Sequence, residues 1–543
     1  MVVGRGSTPD FLRVAQRTNA VSTGHLVCRV DAGHLRCQSH LDGGRRVSAQ
    51  VFVVIASLAA YMMVIVVIGL YSARLSRWTM EDYHMGSREF RVFVLFSAVF
   101  GANISAVALI GVPGSAYHLG WIMWPYFVTA WAWLTPLLFY VIGSRSWVLG
   151  RKLGYMTVGE VIGNRWRSPG LAVLISAVLI VYTVPYLMTG LLAGGRILEA
   201  LTDGFFPLWI GEVVVALVVV VYLLLGGMRG AAWVNTFQTS IFMIGGVAIF
   251  LMLASALGGP GQATQRVLAD YPELITRSNM PWKQFFSYGV IVGLCPVLFP
   301  QVFMRLLTGR NPKALKQMMV IYPVPALFVV FLTAMVGLWG HAASPGLDGA
   351  ESDAILPLLL VQYTPIWMMG ILGAAGLAAI MSTMDSQLLS VTTMITRDLL
   401  SRTEAASSSE REMVRISRGL VIVLTVGAFV LAYFNPLGII RIVEFAFAGF
   451  ACLLAPTIGA LYWKRCTKQA AGWSIVVSEL LLIALTFGWL PAELAFGFLP
   501  GLPAIVVGLL TLVVVTYLTP APEDEGTREY FSLFDDHDQS GAR

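Results

Sequence analysis

Phe100-Gly101-Ala102-Asn103-Ile104-Ser105-Ala106 stands at the centre of an apolar run over 92–117, and Gly111-Val112-Pro113-Gly114 follows within the same run. An α-helix needs roughly 20 apolar residues to cross a bilayer, and this run has them. Inside a helix, glycine is about 1 kcal/mol worse than alanine, and an asparagine side chain competes for backbone hydrogen bonds. Gly101 and Asn103 therefore weaken the helix at its midpoint. Unwinding there frees the backbone carbonyls of Gly101 and Ile104. Several such oxygens are what a hard cation such as Na⁺ requires.

Breaks at mid-membrane, at matching places in two halves of a chain, mark the binding sites of inverted-repeat transporters. A second interrupted run, 284–306, carries Gly289, Gly293, Pro296 and Pro300. Each broken run opens a block of five apolar segments, 92–257 and 284–462. The spacing suits a five-plus-five inverted repeat, although Gly and Pro are also common in membrane helices generally. About thirteen apolar runs lie between 51 and 518, one before the repeats and two after. The expected fold class is an all-α polytopic membrane protein.

Composition agrees. Of 543 residues, 57% are apolar and only 12% charged, where a soluble protein carries about 25% charged. A soluble enzyme, a disordered chain and a secreted disulfide scaffold are excluded. So is an outer-membrane barrel, whose ~10-residue strands alternate polar and apolar side chains. The net charge of +6 does not indicate nucleic acid, because the basic residues sit in short loops between apolar runs. They concentrate on alternate loops, at 74–91, 145–167, Arg229, 305–316, 397–418 and 464–468; the opposite set holds only Arg196, Arg266, Arg277, Lys283 and Arg441. The richer set is expected in the cytoplasm, which puts the N-terminus outside and the C-terminus inside. Neither a phosphate loop nor a nucleophile elbow nor a metal motif is present, so an enzyme is not expected.

Residues 1–48 differ from the rest, with seven Arg, no Lys and two near-copies of one phrase, Gly24-His25-Leu26-Val27-Cys28 and Gly33-His34-Leu35-Arg36-Cys37. Arg45 and Arg46 would abut the first span on the wrong side. This basic leader is expected to be disordered or absent from the mature protein, either because translation starts at Val47 or because the leader is a non-homologous extension. Its His25, Cys28, His34 and Cys37 match a zinc set in residue type only, which chance explains. A transporter domain is expected over 49–519, and an acidic, disordered cytoplasmic tail over 520–543.

The ninth apolar run supplies a partner for the first break: Ala378-Ala379-Ile380-Met381-Ser382-Thr383-Met384-Asp385-Ser386. Ser382 and Thr383 are adjacent hydroxyls deep in an apolar helix. Such residues often bond back to their own helix. Asp385 lies on the same face as Ser382. Inserting a charge at a helix centre costs about 2.5–3.5 kcal/mol, so an ionisable group there is a functional candidate. Asp385 is a candidate for ion coupling, either as a cation ligand or as a proton carrier.

Four segments, in order, resemble the sodium:solute symporter family over residues ~50–520. They are Asp82-Tyr83-His84-Met85-Gly86-Ser87-Arg88 running into Ala102-Asn103-Ile104-Ser105; Gly226-Gly227-Met228-Arg229 through Asn235-Thr236-Phe237-Gln238; Ala378 through Ser386, ending at Arg397-Asp398; and Gly449 through Pro456 with Ala460-Leu461-Tyr462-Trp463-Lys464-Arg465. The resemblance implies a leucine-transporter-like inverted repeat with one extra helix before it and two after. It implies sodium-driven uptake of a small solute by alternating access, in a bacterial-type inner membrane, with no obligate protein partner. The family's sodium site falls on the carbonyls of Gly101, Ile104 and Ala379 and the hydroxyls of Ser382 and Thr383. The solute is expected beside it, against Asn103, Ser105, Cys295, Phe299 and Phe447, with Phe450 as a further wall.

Two departures from the family refine this. Some members carry Asp at the position of Asn235, where it helps to bind a second sodium; an amide there implies one sodium per cycle. Sugar carriers place polar residues where this chain has Phe127 and Ala130, and unpaired sugar hydroxyls would cost roughly 1–3 kcal/mol each. Monocarboxylates, amino acids and pantothenate-like acids are therefore expected over sugars, and no buried Arg or Lys is expected to hold a carboxylate. The alternatives are a proton-coupled symporter using Asp385 and a membrane solute sensor.

Overall fold

A computed structural model describes residues 26–31, 34–39, 43–74, 79–278, 280–400, 409–434, 439–522 and 527–534. The chain divides into two units, Met1–Phe52 and Val53–Arg543. In the first, Leu26–Asp31 and His34–Ser39 form an antiparallel pair with Cys28 opposite Cys37. The near-repeated phrases overlap these strands, at Leu26-Val27-Cys28 in one and His34-Leu35-Arg36-Cys37 in the other. Most of the expectation for residues 1–46 lies outside the described residues.

The second unit is helical. Helix is present in every apolar run read from the sequence. Ten helices are long and apolar enough to cross a membrane, or eleven with one bent pair, among the described residues. Two sequence runs are joined in the 49-residue helix Leu208–Ala256, which turns at Gly227, where φ is +54° and ψ −151°. A side chain there would meet the Tyr83 ring at 2.6 Å, so only glycine fits.

The two broken runs break where their residues dictate. Val92–Asn103 ends at Ile104, whose backbone is extended (φ −76°, ψ 108°), and helix resumes over Val107–Gly111 and Val112–Leu119. The Ser105 hydroxyl accepts from the Val107 amide at 3.2 Å, capping the resumed helix. Trp282–Leu294 gives way to a tight turn at Pro296–Leu298, then to Pro300–Leu306, with a bend of 52°. Pro296 and Pro300 lack the amide protons that would continue the hydrogen-bond ladder.

Ile366–Met394 is the most buried of the membrane-length helices and packs against Val92–Asn103, Pro169–Leu201 and Leu208–Ala256. The broken first helix of the first repeat is thus laid beside the helix that carries Ser382 and Thr383.

Several of the basic residues between the apolar runs make specific contacts. Arg229 pairs with Asp82 at 2.7 Å and Arg397 with Glu160 at 2.8 Å. Arg151 donates to the carbonyls of Arg88, Gly309 and Arg310 at 2.6, 3.2 and 2.9 Å. The tail departs from the expected disorder over 527–534, which is helical and buries Tyr530, Phe531 and Phe534. The Arg165 guanidinium stands 5.3 Å from the Tyr530 ring and 4.9 Å from the Phe531 ring, and Arg145 lies 4.7 Å from Phe534. Aromatic side chains and cation–π contacts, invisible in a count of acidic residues, hold this segment.

Candidate functional site

All five expected cation groups meet at the break after Asn103. Ser382 Oγ lies 2.9 Å from the Gly101 carbonyl and 2.9 Å from the Ala379 carbonyl. Thr383 Oγ1 lies 3.1 Å from the Gly101 carbonyl and 2.9 Å from the Ile104 carbonyl. These are five uncharged oxygens from two helices, all buried. The Ile104 carbonyl is free to turn inward because Ile104 is not helical. Gly101 is required by close approach: a Cβ would lie 2.7 Å from Thr239 Oγ1. Thr239, which donates to the Ser97 carbonyl at 3.1 Å, went unnoticed in the sequence.

Beside this set is a small space of about 20 Å³ lined by Asn103, Ser105, Phe127, Trp131, Phe299 and Phe447, among others. It admits little more than one water. Phe299 and Phe447 pack with ring centroids 4.8 Å apart, and Phe450 lies 5.1 Å from Phe299. Cys295 is buried at the bend but does not line the space; its thiol faces the Val292 carbonyl at 3.9 Å. Asn103 donates to the hydroxyl of Tyr322, and the Tyr186 ring stands 5.4 Å from Phe299 and 5.2 Å from Phe447. Neither tyrosine was legible as a site residue, since an aromatic in an apolar run reads as core.

Asp385 is fully buried. Its carboxylate accepts from Tyr222 Oη at 3.0 Å, Ser386 Oγ at 2.8 Å and Asn235 Nδ2 at 3.4 Å. Arg305 Nη2 stands 3.7 Å away. Arg305 corrects the sequence reading, which had it in a cytoplasmic loop. The bend at Pro300 turns its helix inward, and the side chain is 0% exposed.

On the face opposite the basic loops a cavity of about 700 Å³ is lined by Ser115, His118, Gln284, Asp353, Arg441 and Glu444 among others. Tyr126, also on its wall, donates to Glu444 at 3.3 Å and stacks on Tyr288 at 3.9 Å. Tyr288 touches Phe127 of the inner space at 5.2 Å. Asp353 pairs with Arg196 at 2.8 Å. Burial raises the Asp353 carboxyl above its ordinary value, and the Arg196 charge works against that rise.

The helix order and the two breaks are those of a leucine-transporter-like secondary transporter. A substrate-bound, outward-open state of a Na⁺-coupled sialic acid symporter superposes with a TM-score of 0.73 at 18% identity, over 87% of this chain and 99% of that one. A nucleobase-cation-symport-1 family transporter in a closed conformation gives 0.54 at 15% identity, over 83% and 98%. The chain belongs to the sodium:solute symporter family, whose model matches residues 83–478. It is 29% identical to the sodium/pantothenate symporter of Escherichia coli K12, over 85% of this chain and 95% of that protein. It is 28% identical to a sodium/proline symporter of Staphylococcus aureus, over 85% and 91%.

Proposed function

We propose that this multi-pass membrane protein is a sodium-coupled symporter that imports a small organic acid or amino acid across a bacterial-type inner membrane, with its N-terminus outside and its C-terminus in the cytoplasm. The observation that carries the reading is the convergence of the Gly101, Ile104 and Ala379 carbonyls with the Ser382 and Thr383 hydroxyls. In the absence of a cation the two hydroxyls donate to those carbonyls. When sodium enters, each hydroxyl rotates its proton away and offers a lone pair, so that the same five oxygens surround the ion. Sodium then ties the unwound segment to Ile366–Met394. Because the tie exists in one arrangement of the two helices and not the other, sodium shifts the balance between outward-open and inward-open forms.

Asn103, Ser105, Phe299 and Phe447 adjoin both the break and the small space, which makes them the solute's neighbours. A solute larger than water must part these walls, so solute binding and helix movement are one event. The apolar lining, with few polar groups, favours a monocarboxylate, an amino acid such as proline or a pantothenate-like acid over a sugar. The relatives named for pantothenate and proline support the same range. Proton coupling through Asp385 gains nothing from the geometry, since that carboxylate already has three donors and a guanidinium beside it.

The test is uptake into proteoliposomes of proline, pantothenate, lactate and glucose, with sodium and proton gradients imposed separately. Sodium alone should drive uptake of one of the first three. Uptake driven by a proton gradient in sodium-free buffer would overturn the reading.

A further inference from the structure

The amide at Asn235 predicted a single sodium because a carboxylate had been lost. The geometry gives a different reason. Charge is present at this spot, three residues beyond Ser382, in Asp385. Asn235 Nδ2 lies 3.3 Å from the Ser382 carbonyl, 3.4 Å from Asp385 Oδ1 and 3.3 Å from Ser386 Oγ. Three oxygens, one of them a carboxylate, thus converge on one point. Ser382 belongs to both sets, lending its hydroxyl to the first and its carbonyl to the second. A buried carboxylate so placed, with no counter-charge, would demand a cation.

Two donors occupy that role. One is the Asn235 amide nitrogen. The other is Arg305, which brings the positive charge to 3.7 Å from Asp385 Oδ1. Arg305 is poorly satisfied otherwise. Its one protein hydrogen bond, to the Gln301 carbonyl, is 3.3 Å long, and its Nε and Nη2 have no hydrogen-bond partner. Arg151, a structural arginine, bonds three carbonyls. Gln301 and Asn235 each leave side-chain atoms unpaired in the same buried region. Such a guanidinium is held by charge rather than by a saturated cradle.

We propose that Arg305 acts as a tethered cation: its guanidinium neutralises Asp385 and so closes the Asn235–Asp385–Ser386 pocket to a second sodium. The proposal rests on the reading that Gly101, Ile104, Ala379, Ser382 and Thr383 hold the first. The sodium count then follows the net charge of Asn235, Arg305 and Asp385 together. That charge is zero in the native chain. Asn235→Asp makes it −1 with Arg305 in place, and Arg305→Gln makes it −1 with Asn235 in place. Either change should admit one more sodium.

Equilibrium binding of ²²Na⁺ alone to the purified full-length protein in nanodiscs decides this. The native chain should bind one ion, Asn235→Asp and Arg305→Gln two each, and Arg305→Gln with Asp385→Asn one again. Arg305→Met, uncharged and of similar length, decides the matter if Arg305→Gln does not fold. Two ions in the native chain, or one in a folded Arg305→Gln or Asn235→Asp protein, would overturn the tethered-cation role and leave the first site intact. No ion in the native chain would overturn both, and that result separates the two failures.

Discussion

The Thr383 hydroxyl reaches across from its own helix to the Ile104 carbonyl at 2.9 Å, closing the break in the neighbouring helix with a side chain 279 residues away in sequence. It also lies 3.1 Å from the Gly101 carbonyl. One hydroxyl therefore touches both carbonyls that the unwound segment frees.

Thr383→Val keeps the shape of the side chain and deletes that hydroxyl. Losing one ligand and leaving two carbonyls less well paired should cost about 1–3 kcal/mol, which is roughly 5- to 150-fold in sodium affinity. The sodium dependence of uptake should show a raised half-saturation concentration, and Thr383→Ser should restore most of it.

Gly101→Ala would drive a methyl group to 2.7 Å from Thr239 Oγ1. Overpacking of this kind costs about 1–3 kcal/mol. The variant should melt at a lower temperature and bind sodium more weakly. Combining it with Thr239→Ala should cost less than the two changes summed, because the obstructing atom is gone. A double-mutant cycle on thermal unfolding measures the difference.

His84 joins its loop to two helices, lying 2.6 Å from Thr393 Oγ1 and 3.2 Å from Ser417 Oγ. Burial, helped by the Arg397 charge, lowers its pKa from the ordinary 6.5 to about 3. The unfolded chain takes up a proton near 6.5 and the folded chain does not until about 3. Its contribution to stability is therefore complete above pH 6.5 and is lost as the pH falls toward 3. The slope approaches about 1.4 kcal/mol per pH unit. Thermal unfolding between pH 7.5 and 5 should show this fall, and His84→Gln should flatten it.

Truncation after residue 526 removes Tyr530, Phe531 and Phe534, all buried, and leaves Arg165 with only Trp166 and Arg145 with only Tyr462 as aromatic neighbours. Burying one large apolar side chain is worth about 1.5–3 kcal/mol, so the truncated protein should melt several degrees lower. An unchanged melting temperature would show that the segment is not docked in solution.

Local chemistry made much of this legible. Gly101 and Asn103 announce a weak helix, Pro296 and Pro300 announce a bend, and Ser382 and Thr383 stand out against apolar neighbours. What remained hidden depends on distant contact. Tyr186, Tyr322 and Trp131 look like any aromatic in an apolar run until the fold turns them toward Ser105 and Asn103. Arg305 reads as a loop charge because the bend that buries it lies five residues upstream. In the tail, Tyr530, Phe531 and Phe534 fall on one helical face, a signal that the surrounding acidic residues masked.

The central claim is that the oxygens of Gly101, Ile104, Ala379, Ser382 and Thr383 hold sodium. The most direct test compares thermal unfolding in sodium chloride and in choline chloride, for the native protein and for Ser382→Ala with Thr383→Ala. A ligand that binds only the folded state at 100 times its dissociation constant adds about 2.7 kcal/mol. The native protein should therefore melt higher in sodium, and the double variant, though folded, should show no such rise. An equal sodium-dependent rise in both would contradict the account.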